Sequence, residues 1–174
     1  MDAIANMITR RSIRKFKSDM VSKDIIEKII EAGIGEIPEH SRLHAAIVHI
    51  LEMYRCKVTE ERVFEDIHRR WDEHVGHDWC HTISNAEIVA ASLLFGHGDY
   101  GKSICMAVQT GFDTDCNGAT VGSVLGMRNG IGSIGKEWTA PINGKLQTAI
   151  FGVDVIDIDD AVEMTMKHIG EKNK

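Results

Sequence analysis

Helical periodicity constrains this chain more than any other feature. Between Ser41 and Met127, apolar residues recur at three- and four-residue spacing through one segment after another. Ser41 opens one segment, in which Leu43, Ile47, Ile50, Leu51 and Tyr54 form a single stripe. Thr59 opens the next, with Val63, Phe64, Ile67 and Trp71 facing inward. From Asn85 to Phe95 the chain is apolar nearly all round, which predicts a buried helix. Two more helices are expected, at Asp99 to Thr110 and at Asn117 to Met127. Upstream, Ser22 caps a helix that carries Ile25, Ile26, Ile29 and Ile30 and that Gly33 ends. The two prolines, Pro38 and Pro141, both fall between helices. The best strand candidate is AIFGVDVI, near residues 149–156. The fold class that follows is all-α.

With 174 residues, 43% of them hydrophobic, the chain suits one domain with an appendage. A net charge of -6 opposes general nucleic-acid binding, because neutralising phosphates takes an excess of Lys and Arg. No apolar run approaches the roughly 20 residues of a membrane span, and the first residues lack the apolar core of a secretory signal. Cys56, Cys80, Cys105 and Cys116 lie far apart, which points to reduced thiols in the cytoplasm. Arg10, Arg11, Arg14, Lys15 and Lys17 make the opening basic while the remainder is acidic. That step divides the chain into residues 1–33 and 34–174, with the seam at Ile34 to Pro38.

The stretch richest in chemistry is GFDTDCNGATVGSVLG, residues 111–126. A calcium loop counted from Asp113 would need oxygen ligands at positions nine and twelve, where Val121 and Val124 stand. Asp113 and Asp115 instead lie two apart before a helix expected from about Asn117. In an extended or turning segment both carboxylates project to one side, where they can reach a single hard cation. The helix behind them has a face of small residues, Gly118, Ala119, Gly122, Ser123 and Gly126, that lets another helix approach closely.

Two other patterns are decoys. Residues 96–103, GHGDYGKS, satisfy the phosphate-loop pattern, but NAEIVAASLLF before them reads as helix where that loop needs a strand. They read as a glycine-broken helix–helix connection. His74, His77, Cys80 and His81 could ligate zinc, but structural zinc sites draw on two separated pairs. With Trp71 and Trp79 they read as cleft lining or as packing between helices.

Residues 41–54 (SRLHAAIVHILEMY), 77–126 (HDWCHTISNAEIV through DTDCNGATVGSVLG) and 131–143 (IGSIGKEWTAPIN) resemble the C-terminal part of the ADP-ribosylglycohydrolase family. The resemblance spans about residues 34–155. It implies orthogonally packed helices, like the C-terminal half of such an enzyme, behind a short helical N-terminal appendage. It also implies hydrolysis of an ADP-ribosyl or related ribosyl bond at a magnesium, or manganese, centre. Asp113 and Asp115 would be metal ligands. Cys116 would be a third, standing where many members have Thr or Ser, although a thiol suits a hard cation poorly. His81, Asn85 and Asn117 are the candidate substrate contacts. The family's other acidic motif has no counterpart upstream, and Asp159-Asp160 lies past the matching region, so a half-site of impaired activity is expected.

The segment TRRSIRKFKSDMVSKDIIEKIIEAG, residues 9–33, resembles the opening of a nitroreductase. That resemblance makes Arg10, Arg11, Ser12 and Arg14 contacts to the phosphate of FMN, since guanidinium forks match phosphate oxygens. FMN itself is not expected to bind, because the rest of a flavin pocket is missing. Three readings therefore stand at this stage. The first is an ADP-ribosyl hydrolase with half a metal site. The second is a non-catalytic helical module that self-associates or binds a partner through apolar faces at 41–54 and 85–95. The third is a flavin reductase.

Overall fold

The computed structural model describes residues 25–72 and 74–171, with side chains through residue 167. The described residues fall into two compact units, 25–134 and 135–171.

The first unit is helical throughout. Its elements are α1 (Ile25–Glu36), α2 (Arg42–Arg55), α3 (Glu60–Arg70), α4 (Thr82–Phe95), α5 (Tyr100–Gln109) and α6 (Thr114–Asn129). Ser41 caps α2 as its sequence position suggests, its hydroxyl accepting from the His44 N–H at 3.1 Å. Asp99 does the same for α5, accepting from the Lys102 N–H at 2.7 Å. The centre of the unit is α4, against which α1, α2, α3, α5 and α6 all pack. That placement explains its all-round apolar character: Ile88 and Ala91 are fully buried, and Leu93, Leu94 and Phe95 nearly so. The inward residues of the neighbours, Ile26, Ile30, Ile50, Leu51, Val63, Ile67, Val121 and Leu125, complete one core.

Of the small residues on α6, Gly118, Gly122 and Gly126 meet α5, while Ala119 and Ser123 are exposed. A Cβ at Gly118 would lie 3.0 Å from Val108, and one at Gly122 would lie 3.3 Å from Ile104. Larger residues there would push the helices apart. The GHGDYGKS stretch is the α4–α5 connection, with a helix before it. Gly96 is required because an added Cβ would sit 1.9 Å from the Ser103 hydroxyl. Ser103 itself is buried and donates to the Asp99 carbonyl at 2.7 Å, while Lys102 pairs with Glu60.

Several boundaries differ from expectation. The first described helix does not stop at Gly33 but runs to Glu36, and its Ile26 and Ile30 share the core with α2 and α4. Tertiary burial outweighs the cost of a mid-helix glycine, which is only about 1 kcal/mol. Five neighbours cover most of the Asn85–Phe95 helix, and its Ala86 and Val89 are only half-buried. What stays open is an apolar groove of about 460 Å³ bounded by Ile29, Ile34, Leu43, Val89, Leu93 and Thr120. Ser22 lies outside the described residues.

The second unit holds a short helix, α7 (Lys136–Thr139), a hairpin and α8 (Ile158–Glu171). The single strand expected near 149–156 is two strands, β1 (Lys145–Ile150) and β2 (Val153–Asp157), paired antiparallel with Leu146 opposite Ile156. Gly152, at φ +79, supplies the left-handed residue that reverses the chain between them. No described helix is long and apolar enough to cross a membrane.

Candidate functional site

The acidic loop is shaped from its preceding residues. Gly111 and Phe112 both take positive φ, +84 and +60, and a bulky side chain in that region is strained. Burial holds it there: the Phe112 ring is in the core and packs against His68 at 5.0 Å. The chain then turns directly into α6, whose first helical residue is Thr114, not Asn117 as the sequence suggests. Asp113 is therefore the N-cap, and Asp115 and Cys116 lie in the first turn. The carboxylates converge through a helix start rather than through an extended segment. One ligand atom from each of Asp113, Asp115 and Cys116 falls within 4.8 Å of the others.

An acidic N-cap normally spends its carboxylate on the free N–H groups of its helix. Asp113 makes no such side-chain bond, so its carboxylate is not taken up by the helix N–H groups. Both carboxylates gain from the positive end of the α6 dipole, which for the same reason opposes a cation. The Cys116 thiol donates to Asp113; that bond, with the charges of Asp113 and Asp115, pushes its pKa up. A protonated sulfur is no ligand for a hard cation. Two oxygens and one poor donor are what this turn offers.

The family model of the ADP-ribosylglycohydrolases matches residues 3–169. The chain belongs to the ADP-ribosylglycohydrolase family. No curated protein and no solved structure matches it. The match extends to both sides of residues 34–155, so the family relationship is not confined to a C-terminal part. It also runs through the segment that resembles a nitroreductase, and no nitroreductase match accompanies it. Arg10, Arg11, Ser12 and Arg14 lie outside the described residues.

In this member of a hydrolase family, Asn85 and Asn117 meet beneath the acidic turn. The Asn85 Oδ1 accepts from the Asn117 Nδ2 at 2.9 Å and from the Asp113 N–H at 3.4 Å. Its Nδ2 donates to the Trp79 carbonyl at 3.2 Å, so one amide ties both loops to α4. Asn117 is 3% exposed, which leaves it little room to touch a ligand. His81, one helical turn before Asn85, lies face to face with Trp71 at 4.8 Å and edge-on to His77 at 5.3 Å. Among the described residues, His74, His77, Cys80 and His81 form no converging set of three ligand atoms. His77 and His81 pack against Trp71, whereas His74, Trp79 and Cys80 are exposed. Burial and the neighbouring Asp78 push the Cys80 thiol up, and the charge of Asp113 adds to that rise.

Sequence reasoning passed over Glu87. It is fully buried in α4, where Arg70 Nη1 donates to it at 2.7 Å and Trp71 Nε1 donates to its other oxygen. The signal was legible: one carboxylate inside NAEIVAASLLF cannot be buried without partners.

Proposed function

We propose that this chain binds an ADP-ribosyl group at the start of α6 with one magnesium or manganese ion held weakly by Asp113 and Asp115. The observation that carries the proposal is the convergence of two carboxylates, one of them an N-cap that does not cap. A bound cation would supply alignment of a ribose diol and of the attacking water at the glycosidic carbon. Asn85 and Asn117 hold the turn in place from below, and His81 presents its imidazole one helical turn away. Magnesium offered only one or two carboxylates keeps most of its waters and binds weakly. Among the described residues Asp113, Asp115 and Cys116 are the one such cluster, and hydrolysis is therefore expected at or near background.

The test joins magnesium and manganese titration calorimetry with an ADP-ribosyl hydrolysis assay on the same preparation. One weak site and slow turnover support the proposal. Two bound ions with brisk turnover would overturn the half-site part of it.

A second reading is favoured by the apolar groove between α1, α2, α4 and α6, which suits a self-associating module. For the flavin reading, FMN binding no tighter than that of a simple phosphate ester is expected, with a colourless purified protein. Stoichiometric yellow protein would reverse that expectation.

A further inference from the structure

Glu87 is the ionisable side chain most deeply placed in the first unit, at the centre of the helix that everything else packs upon. Burial pushes its carboxyl above the ordinary range, and Arg70 and Trp71 oppose that rise. Its two oxygens have different duties. Oε1 accepts from Arg70 Nη1 at 2.7 Å, and Oε2 accepts from Trp71 Nε1. Arg70 is itself anchored, since its Nε donates to Asp66 Oδ2 at 2.8 Å. Asp66 also pairs with His49 at 2.8 Å and with Arg69.

The Trp71 branch leads out of the core. Trp71 closes α3, and its indole cannot turn about its long axis without giving up a buried charged acceptor. Its face lies at 29° to the imidazole of His81, with ring centroids 4.8 Å apart, and His77 meets both rings edge-on. His81 in turn stands one turn before Asn85, the residue that holds the Asp113 loop. A buried carboxylate is thus linked through one indole to the plane of an imidazole one helical turn before Asn85, which holds the acidic turn.

We propose that Glu87 is a positioning residue: acting through Trp71, it fixes the plane of the His81 imidazole for contact with an ADP-ribosyl ligand. The ligand half of this statement rests on the reading of His81 as a substrate contact given above. A purely structural role for Glu87, pinning α3 to α4 by charge, would affect stability but leave the His81 ring where it is.

The experiment uses the full chain with ADP-ribose as the probe. Glu87→Met removes the acceptor at nearly constant volume. The His81 ring resonances in its ¹H–¹³C spectrum and the Trp71 indole N–H signal in its ¹H–¹⁵N spectrum should move together. Its ADP-ribose affinity should fall about threefold to tenfold, the worth of one hydrogen bond. Trp71→Phe, which leaves the buried charges intact, should weaken ADP-ribose by a similar factor and guards against a Glu87→Met chain that does not fold. Asp66→Asn, which disturbs the ion network but not the indole, should lower stability and leave ADP-ribose affinity unchanged. A folded Glu87→Met chain with unmoved His81 resonances overturns the positioning role, as does Trp71→Phe with the parent's affinity. If His81→Ala binds ADP-ribose as tightly as the parent, the substrate reading of His81 fails and the ligand half goes with it. The ring shifts still decide the positional half in that case.

Discussion

Asn85 Oδ1 accepts hydrogen bonds from two groups 28 and 32 residues away, the Asp113 N–H and the Asn117 amide. The acidic turn is therefore held from α4, outside its own helix. Replacing Asn85 with Ala strands the buried Asn117 amide and should cost about 1–3 kcal/mol of stability. Metal affinity should fall severalfold as the turn loosens. Denaturant unfolding and manganese titration on one sample check both effects, and a variant unchanged in either would show that the turn holds itself.

The acidic turn should bind one divalent cation weakly. Asp113→Asn and Asp115→Asn should each abolish binding, because a neutral amide oxygen cannot replace a carboxylate in so sparse a donor set. Cys116→Ser should leave binding intact or strengthen it, since a hydroxyl oxygen suits a hard cation better than a protonated thiol. Should the double Asn variant bind manganese as well as the parent does, the turn is only a helix cap.

Acid should destabilise the first unit through Asp66. Burial alone would raise this carboxyl, but hydrogen bonds from Arg69, His49 and Arg70 hold it well below the ordinary range. A carboxyl depressed in the folded state binds protons more readily when unfolded. Its stabilisation is complete above about pH 4 and lost as pH falls below that. Glu87 has the opposite sign: its raised pKa favours the folded state at low pH, an effect that fades as pH rises through that raised value. Asp66→Asn should cost about 3 kcal/mol at neutral pH and flatten the acid limb of the stability curve. Urea midpoints taken from about pH 2.5 to 6 test this, and an acid limb as steep as the parent's would refute it.

The open groove should make the chain associate. Ile29, on its rim, is 46% exposed and continues the apolar lining formed by Ile34, Leu43, Val89 and Leu93. Dimers or larger species are expected by light scattering, and Ile29→Glu should shift them toward monomer by placing a charge where apolar surface is covered. A monomeric parent that binds no hydrophobic dye would remove this expectation.

Much of the fold was legible in the order of residues alone. The stripe after Ser41, the all-round apolar run at 85–95 and the small face from Gly118 to Gly126 each specify a helix and the side it buries. Such features are local, because a helix brings residues three and four apart onto one face wherever it sits. The pairing of Asp113 with Asp115 was likewise visible. Where their helix begins was not: Thr114 starts it because Phe112, in a left-handed conformation, is anchored in a core built by distant segments. The same holds for Asn85 beneath the turn and for Glu87 between Arg70 and Trp71. A buried polar group is tolerated only beside its partners, and those partners come from other helices. Periodicity says which face of a helix turns inward; packing alone decides which polar groups meet there.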